Sequence, residues 1–287
     1  MNCYNGKNVT FGVIILNYFS YQETLNCIES FTKAQKDEYI VHYVVVDNGS
    51  SNKSCEILRE KYKEREDIDV LPLRENVGFA RGNNEGCIFL REKYNCDFYI
   101  FSNSDIVVPD NIFTWIYQTY NKYQCDLLAP DIYAPNLGIH QNPIKNYTRI
   151  PLVVRAKIIK KKCEIILAKL GFIRNKSKRS CEQFASDDKQ LFNHPIHGSF
   201  IISNNKIFNY YDTFFDNRTF LYMEEYLLFL RCMNAGLKTM VSSDNHVIHL
   251  QGKSTDVNMV DYKEKRINRL KREINSMKVY IDALKGR

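Results

Sequence analysis

The first 125 residues alternate between short apolar runs and segments with helical periodicity. The apolar runs cover residues 11–16, 39–46, 70–73 and 98–101, and each has the composition of a strand buried on both faces. The segments between them place their apolar residues at helical spacing, without an internal repeat. This alternation of strands and helices predicts an α/β fold built on a parallel, doubly wound sheet.

Two of these runs end in polar segments that carry an aspartate. Asp-Asn-Gly-Ser follows the second run at 47–50, and Ser-Asn-Ser-Asp follows the fourth at 102–105. Ligands of open α/β sheets bind just outside the carboxyl ends of strands, so both segments are candidate binding loops. They could instead be solvated turns, because Asn, Ser and Asp are common turn residues. No G-x-x-x-x-G-K-[ST] occurs, and the first run lacks G-x-G-x-x-G, so P-loop and dinucleotide-dehydrogenase functions lose their main support.

The composition is that of a globular protein, with 44% hydrophobic and 25% charged residues. No apolar run approaches the ~20 residues of a membrane span, and the N-terminus lacks the apolar core of a secretory signal. We therefore expect a cytoplasmic protein. The nine cysteines form no C-x-x-C pair, which predicts reduced, mostly packed thiols.

The net charge of +7 is concentrated in one segment. Residues 155–180 contain ten bases and a single acid, Glu164. An apolar face rimmed by lysines is typical of helices that lie on an anionic membrane, although the same face could pack on the protein. Nucleic-acid binding is not predicted, because neither interleaved aromatic residues nor a known module accompanies the bases. The apolar face consists of Ile159, Cys163, Ile166, Leu167 and Leu170.

The last 30 residues contain a second amphipathic pattern, with apolar residues at spacings of three and four. It could form a dimer interface or pack on its own domain, so both a monomer and a homodimer are compatible with the sequence. The stripe consists of Ile267, Leu270, Ile274, Met277, Ile281 and Leu284.

Six short motifs together resemble the inverting glycosyltransferases of the GT-A fold, of the family 2 type, and in particular bacterial rhamnosyltransferase-like members. Asn-Val-Gly-Phe-Ala-Arg-Gly-Asn-Asn at 76–84 after Val-Val-Asp-Asn-Gly-Ser at 45–50 is the most specific combination. The other motifs are Val-Ile-Ile-Leu-Asn-Tyr at 13–18, Asn-Ser-Asp at 103–105, Phe-Leu-Tyr-Met-Glu-Glu at 220–225 and His-Leu-Gln-Gly-Lys-Ser at 249–254.

The resemblance implies a Rossmann-like mixed central sheet flanked by helices, with a C-terminal helical extension. Residues 1–130 would form the nucleotide-sugar-binding half. Residues 131–256 would form the acceptor-binding and catalytic half of the same domain, with a basic helical segment at 151–180. Residues 257–287 would form the C-terminal amphipathic helix.

The resemblance also implies a donor site. Asp47 would accept a hydrogen bond from the nucleotide base, and Arg81, with the backbone of Gly82 and Asn83, would bind the pyrophosphate and ribose. A helix start favours anions in any fold, although Arg81 could be an ordinary surface cation. The implied donor-binding set is Asn17, Asp47, Arg81, Gly82, Asn83, Asn103 and Ser104.

Asp105 resembles the last position of the family's D-x-D metal motif, with Asn103 in place of the first carboxylate. A single carboxylate is a weak site, so Mn²⁺ or Mg²⁺ would bind mainly together with the donor phosphates. His249 resembles a histidine that would be a second ligand and would suit Mn²⁺. The plainer alternative for His249 is a packed, hydrogen-bonded side chain.

Glu224 and Glu225 stand where the family usually has Glu-Asp, whose second acid is the general base. The resemblance therefore implies Glu225 as the base, with Glu224 in reserve. Acids in the first turn of a helix also complement its dipole without any catalytic role. His197 and Ser199 are candidate acceptor-binding residues, or simply the start of a strand.

The predicted reaction is transfer of a sugar from a nucleotide diphosphate donor, of the UDP-sugar or dTDP-rhamnose type, to an acceptor hydroxyl with inversion. The acceptor would be a saccharide or a lipid-linked saccharide in bacterial surface polysaccharide synthesis, such as that of capsule or O-antigen. A cytoplasmic enzyme of this kind could lie peripherally on the inner face of the membrane. Two alternatives remain open: a nucleotidyltransferase of similar architecture and a non-catalytic sugar-binding protein.

Overall fold

The computed structural model describes residues 9–144, 147–172, 190–251 and 262–286. The strands are β1 (Val9–Asn17), β2 (Tyr39–Asp47), β3 (Ile68–Pro72), β4 (Phe98–Asn103), β5 (Ile106–Val107), β6 (Leu127–Ala134), β7 (Ile139–His140), β8 (Gln190–Phe192), β9 (Phe200–Asn204) and β10 (Thr239–His249). The α-helices are α1 (Tyr21–Ala34), α2 (Ser54–Tyr62), α3 (Phe79–Lys93), α4 (Ile112–Tyr123), α5 (Pro151–Lys169), α6 (Glu224–Asn234) and α7 (Tyr262–Leu284). A 3₁₀ helix covers Asn205–Asn209.

All ten strands belong to one mixed sheet, ordered β3-β2-β1-β4-β9-β6-β10-β5, with β7 beside β6 and β8 beside β10. Strands β1 to β4 pair in parallel, as the alternation predicts. β9 then inserts antiparallel between β4 and β6. The predicted mixed sheet flanked by helices is thus confirmed.

Alternate residues of the central strands pack into separate layers on the two faces of the sheet. On β1, Phe11, Val13 and Ile15 join one core with α1, α2 and α4, whereas Ile14 joins the other core with α3 and α6. Both faces of the sheet are covered by helices. The strand sequences are therefore continuous apolar runs, without the alternation of apolar and polar residues found in half-exposed strands.

Helices α5, α6 and α7 form a third apolar cluster beside this sandwich. Ile158 of α5, Leu227 of α6 and Ile274 of α7 are among its buried members. Lys161 of α5 also forms an ion pair with Glu273 of α7. The C-terminal stripe therefore packs within its own chain, in agreement with the simpler of its two predicted arrangements.

Two element boundaries depend on local hydrogen bonding. α4 begins at Ile112, after residues 109–112 form a turn in which the Ile112 amide donates to the Pro109 carbonyl. β10 is one strand with an irregularity between Ser242 and His246. Within the described ranges, no helix has the length and apolarity required to cross a membrane.

Candidate active site

The side chains of Asp105 and His249 meet at one end of the sheet. β5 follows Asp105 directly and pairs antiparallel with the end of β10, which sets His249 opposite Ile106. His249 Nε2 then lies 3.2 Å from Asp105 Oδ1, with both side chains about nine-tenths buried. Gln141 Oε1, 2.6 Å from His249 Nδ1, fixes the orientation of the ring. The structure thus brings together the two predicted metal ligands.

His197 lies near His249, with the two ring centroids 6.2 Å apart. Its Nδ1 atom is 2.9 Å from Ser199 Oγ, and its backbone amide donates to Asn142 Oδ1. Burial, together with the neighbouring His249, lowers the pKa of His197 to about 4. His197 is therefore a neutral imidazole near pH 7. Of the two predicted acceptor-side residues, His197 thus adjoins His249, and Ser199 contacts His197.

The Asp105–His249 pair offers one carboxylate and one imidazole to a divalent cation. Across the described part of the chain, no three His, Cys, Asp or Glu side chains converge as a complete ligand set. Mg²⁺ and Mn²⁺ at nucleotide sites typically take one or two protein ligands and complete their coordination with substrate phosphates and water. The residues present fit a cation that binds together with a phosphorylated ligand.

A cleft opens beside Asp105 at the carboxyl ends of β1, β2 and β4. Asn103 and Ser104, both predicted donor-binding residues, line it together with Asp105. Ser104 Oγ is 2.8 Å from Ser20 Oγ, which ties this wall to the start of α1. The other residues of the wall are Leu16, Tyr18, Asn48, Asn76, Gly78, Phe79, Phe220, Leu221 and Arg272.

Asp47 and Asn17 lie deeper, at the ends of β2 and β1. Asn17 Nδ2 donates to Asp47 Oδ1 at 2.5 Å, and the Ser50 amide donates to Oδ2 at 3.2 Å. Thr24 Oγ1 donates in turn to Asn17 Oδ1. Asn17 therefore acts here as a support for Asp47, and the neighbouring Asn48 is the residue that reaches the cleft wall.

The structure places Arg81, Gly82 and Asn83 inside α3 rather than at its first residue. α3 begins three residues before Gly82, so the Gly82 amide already donates to the Gly78 carbonyl and is not available to an anion. Asn83 is buried and donates to the Phe79 carbonyl, while Arg81 Nε donates to the Asn217 carbonyl. The helix thus starts one turn earlier than the motif suggested, and none of the three is among the cleft-wall residues. Their role in donor binding stays a prediction.

Gly78 occupies the position where this loop meets the segment before α6. Its φ of +91° is in a region that residues with a side chain rarely adopt, and an added Cβ would lie 2.4 Å from the Phe220 carbonyl oxygen. The Phe79 amide donates to that same oxygen. The loop before α3 is thereby joined to the chain that leads into the two glutamates.

Tyr222 and Met223, immediately before the glutamates, both have left-handed backbones, with φ of 77° and 70°. Consecutive non-glycine residues in this region are uncommon and concentrate at functional sites. Glu224 follows, 4% exposed, and its Oε1 atom lacks a hydrogen-bond partner among the described residues. Burial and the charge of Glu225 raise the pKa of Glu224 to about 8.

Glu225 is half-buried and faces the loop that carries His197 and Ser199. The Gly198 amide donates to its carboxylate, and a Cβ on Gly198 would lie 3.3 Å from Oε1. Burial also raises the pKa of Glu225. The loop at 197–199 therefore connects Glu225 on one side with the Asp105–His249 pair on the other.

Arg272 of α7 is a cleft residue that sequence reasoning missed. Its guanidinium lies 5.0 Å from the centre of the Phe220 ring, and one turn later Ser276 Oγ donates to the Leu221 carbonyl. One face of α7 thus forms a wall of the cleft. The apolar stripe of this helix gave no signal for Arg272, because the arginine lies outside that stripe.

The family model "Glycosyl transferase family 2" matches residues 12–191. A search of curated proteins finds no match. Among solved structures, S. aureus TarS 1–349 superposes with a TM-score of 0.56 at 14% identity, covering 93% of this chain and 71% of that one.

TarS 1–349 in complex with UDP-GlcNAc gives a TM-score of 0.55 at 16% identity, with 93% and 65% coverage. TarS 1–349 in complex with UDP superposes with a TM-score of 0.53, covering 84% of this chain and 60% of that one. The chain spans 37% of the longer TarS chain. At these identities the likeness concerns the fold, and it confirms the expected GT-A architecture. With the family model matching well over half of its length, the chain belongs to glycosyl transferase family 2.

Proposed function

We propose that this glycosyltransferase moves a sugar from a nucleotide diphosphate donor to an acceptor hydroxyl with inversion at the anomeric carbon. The observation that carries the proposal is the adjacency of three features. They are an open cleft at the carboxyl ends of β1, β2 and β4, Asp105 on its wall in contact with His249, and Glu225 joined to that pair through the 197–199 loop.

The donor would lie in the cleft with its base toward Asp47 and Asn48. Structures of TarS with UDP and with UDP-GlcNAc support a uridine nucleotide for a fold of this kind. A dTDP-rhamnose donor, as in the rhamnosyltransferase-like members, is the second candidate. Arg272 would face the diphosphate, since a guanidinium pairs well with phosphate oxygens.

Asp105 and His249 would hold Mn²⁺ or Mg²⁺ together with the donor phosphates. A cation bound there supplies electrostatic stabilisation to a diphosphate leaving group. The second nitrogen of His249 is already oriented by Gln141, which is the support that metal-binding imidazoles usually receive.

Glu225 is the proposed general base. As the acceptor oxygen bonds to the anomeric carbon, its proton passes to the Glu225 carboxylate, and the bond from that carbon to the diphosphate oxygen breaks. Burial raises the pKa of the Glu225 carboxyl above its usual range, which is the direction that strengthens a base. Glu224 is a poor alternative, because a carboxyl with a pKa of about 8 is mostly protonated at pH 7.

The acceptor would approach past His197 and Ser199. We propose a saccharide or lipid-linked saccharide, in bacterial surface polysaccharide synthesis of the capsule or O-antigen type. The family assignment supports a carbohydrate acceptor in general terms, and the shape of the acceptor side would set the linkage.

A panel of nucleotide sugars, assayed for nucleoside diphosphate release with and without Mn²⁺, tests this function. We expect one donor to release its nucleoside diphosphate, faster with acceptor and metal present. Release of pyrophosphate would favour the nucleotidyltransferase alternative instead. Saturable donor binding without turnover of any donor, across a panel of acceptors, would favour a non-catalytic sugar-binding protein.

A further inference from the structure

Helix α5 has two apolar faces, and only one of them packs on the protein. Val154, Ile158 and Ala168 are buried against α6 and α7. On the opposite side, large apolar side chains stand in solvent: Leu152 is 74% exposed, Ile159 62%, Ile166 58% and Leu170 67%. The apolar face predicted from the sequence is therefore the outward one, and packing on the catalytic domain does not account for it.

The outward side chains form a continuous strip. With 100° per residue, Leu152, Ile159, Cys163, Ile166 and Leu170 fall within an arc of about 60°, opposite the centre of the buried face. Leu167 widens this arc toward one edge, and all six side chains are exposed. Contiguous apolar surface of this kind marks an interaction site on a protein that is otherwise well packed.

Exposed bases border the strip on both sides. Arg155, Lys162 and Lys169 follow one edge, and Lys160 lies on the other. The single acid of α5, Glu164, is turned away from the strip and lies 3.6 Å from Arg266 of α7. The outward face of α5 thus combines an apolar centre with a purely cationic rim.

We propose that α5 docks on the surface of an anionic lipid bilayer, with its apolar strip at the level of the acyl chains and its bases at the headgroups. The charge pattern selects this partner. A nucleic acid would require adjacent bases without a broad apolar centre, and a second copy of this cationic face would repel the first. An anionic bilayer offers acyl chains to the apolar strip and negatively charged headgroups to the basic rim.

The position of α5 gives docking a consequence for the site. α5 shares its buried cluster with α6, whose first two residues are Glu224 and Glu225. An attached bilayer would therefore lie on the side of the molecule built by α5, α6 and α7. The outward face of α5 contributes no residue to the cleft wall, so its role is testable separately from the transfer reaction.

Vesicle flotation of the full chain tests the proposal. The probes are vesicles of phosphatidylcholine alone, and vesicles with about 30% phosphatidylglycerol, a typical anionic surface. We expect recovery with the anionic vesicles only, reduced at least fivefold at about 0.5 M NaCl, where charges are strongly screened. Equal recovery with neutral vesicles, or no recovery with either, would overturn the proposal.

Two double variants separate the strip from the rim. Ile166→Ser with Leu170→Ser, and Lys160→Glu with Lys162→Glu, should each lower recovery at least tenfold. The matched control is Arg59→Glu with Lys61→Glu, which makes the same charge change at exposed positions of α2 and should float like the parent. The six substituted side chains are exposed, so we expect unfolding midpoints equal to the parent's, which would show that the fold is intact. Loss of recovery in the control as well would indicate non-specific charge attraction and contradict the proposal.

An environment-sensitive dye attached to the apolar strip tests bilayer docking independently of flotation. With Cys3, Cys55 and Cys181 changed to Ser, an environment-sensitive dye on the exposed Cys163 should shift to the blue with anionic vesicles. The same dye on an introduced cysteine at position 59 should not. If α5 were instead a dimer interface, light scattering would give a dimer that Ile166→Ser with Leu170→Ser converts to a monomer, and the Cys163 dye would shift without vesicles.

Discussion

His249 Nε2 lies 3.2 Å from Asp105 Oδ1, although 144 residues separate the two in the chain. The short antiparallel pairing of β5 with β10 creates this contact, because it aligns the end of the last strand with the residue after Asp105. Asp105 stands on the wall of the cleft, and both side chains of the pair are otherwise buried. This geometry suits two groups that hold a cation only when a ligand completes its coordination.

Replacing Asp105 with Asn should abolish metal-dependent donor binding, because the amide keeps the shape of the side chain but loses the anionic oxygen. We expect turnover to fall by roughly two to three orders of magnitude, as is typical when a key electrostatic contact is lost. Titration calorimetry with the donor and Mn²⁺ measures the binding. His246→Ala, at an exposed position of the same strand, is the control. Unchanged metal-dependent affinity in Asp105→Asn would remove Asp105 from the site.

Glu225→Gln should lower kcat by about 10²- to 10⁴-fold while donor affinity is retained, since an amide cannot accept the acceptor's proton. Glu224→Gln is the matched variant, with the same change one residue earlier. It should keep most of the activity, because Glu224 is already mostly protonated at pH 7. The reverse result, an inactive Glu224→Gln and an active Glu225→Gln, would assign the base to Glu224.

The raised pKa of Glu224 predicts a pH-dependent stability. The folded state retains the Glu224 proton up to about pH 8, whereas the unfolded chain releases it near 4.5. Stability contributed by this group is therefore lost as the pH rises from about 4.5 to 8. Glu224→Gln should remove this loss, so its stability relative to the parent should increase by at least ~1 kcal/mol between pH 5 and pH 8. Urea unfolding at both pH values measures it, and a pH-independent difference would contradict the burial argument.

Arg272→Ala should raise the KM for the donor by roughly tenfold, the effect of losing one charge-assisted contact to phosphate, with a smaller change in kcat. Arg272→Lys should recover part of this, because the ammonium keeps the charge but not the bidentate geometry. Lys271→Ala, at the adjacent exposed position, is the control for net charge. An unchanged donor KM in Arg272→Ala would mean that Arg272 forms part of the cleft wall without contacting the donor phosphates.

Sequence reasoning predicted the sheet well, because strands buried on both faces leave an apolar signature, and residues 11–16 and 98–101 are clear examples. It named Asp105 and His249 as metal ligands and His197 and Ser199 as acceptor-side residues, and these roles stay predictions. The sequence could not show that Asp105 and His249 touch, because the pairing of β5 with β10 creates that contact. It failed at the start of α3, where a motif pattern does not reveal that the Gly82 amide is used within the helix. It also missed Arg272, since a cation on the polar side of an amphipathic helix resembles any solvated charge.

The most direct test of the central claim is the product itself. Purified protein, an α-linked UDP-sugar, Mn²⁺ and an acceptor saccharide should yield a β-linked product and one UDP per linkage, both measured by proton NMR. Glu225→Gln should form neither above background while still binding the donor. An α-linked product from the same donor would contradict single displacement with Glu225 as base. Pyrophosphate released in place of UDP would contradict glycosyl transfer at this site altogether.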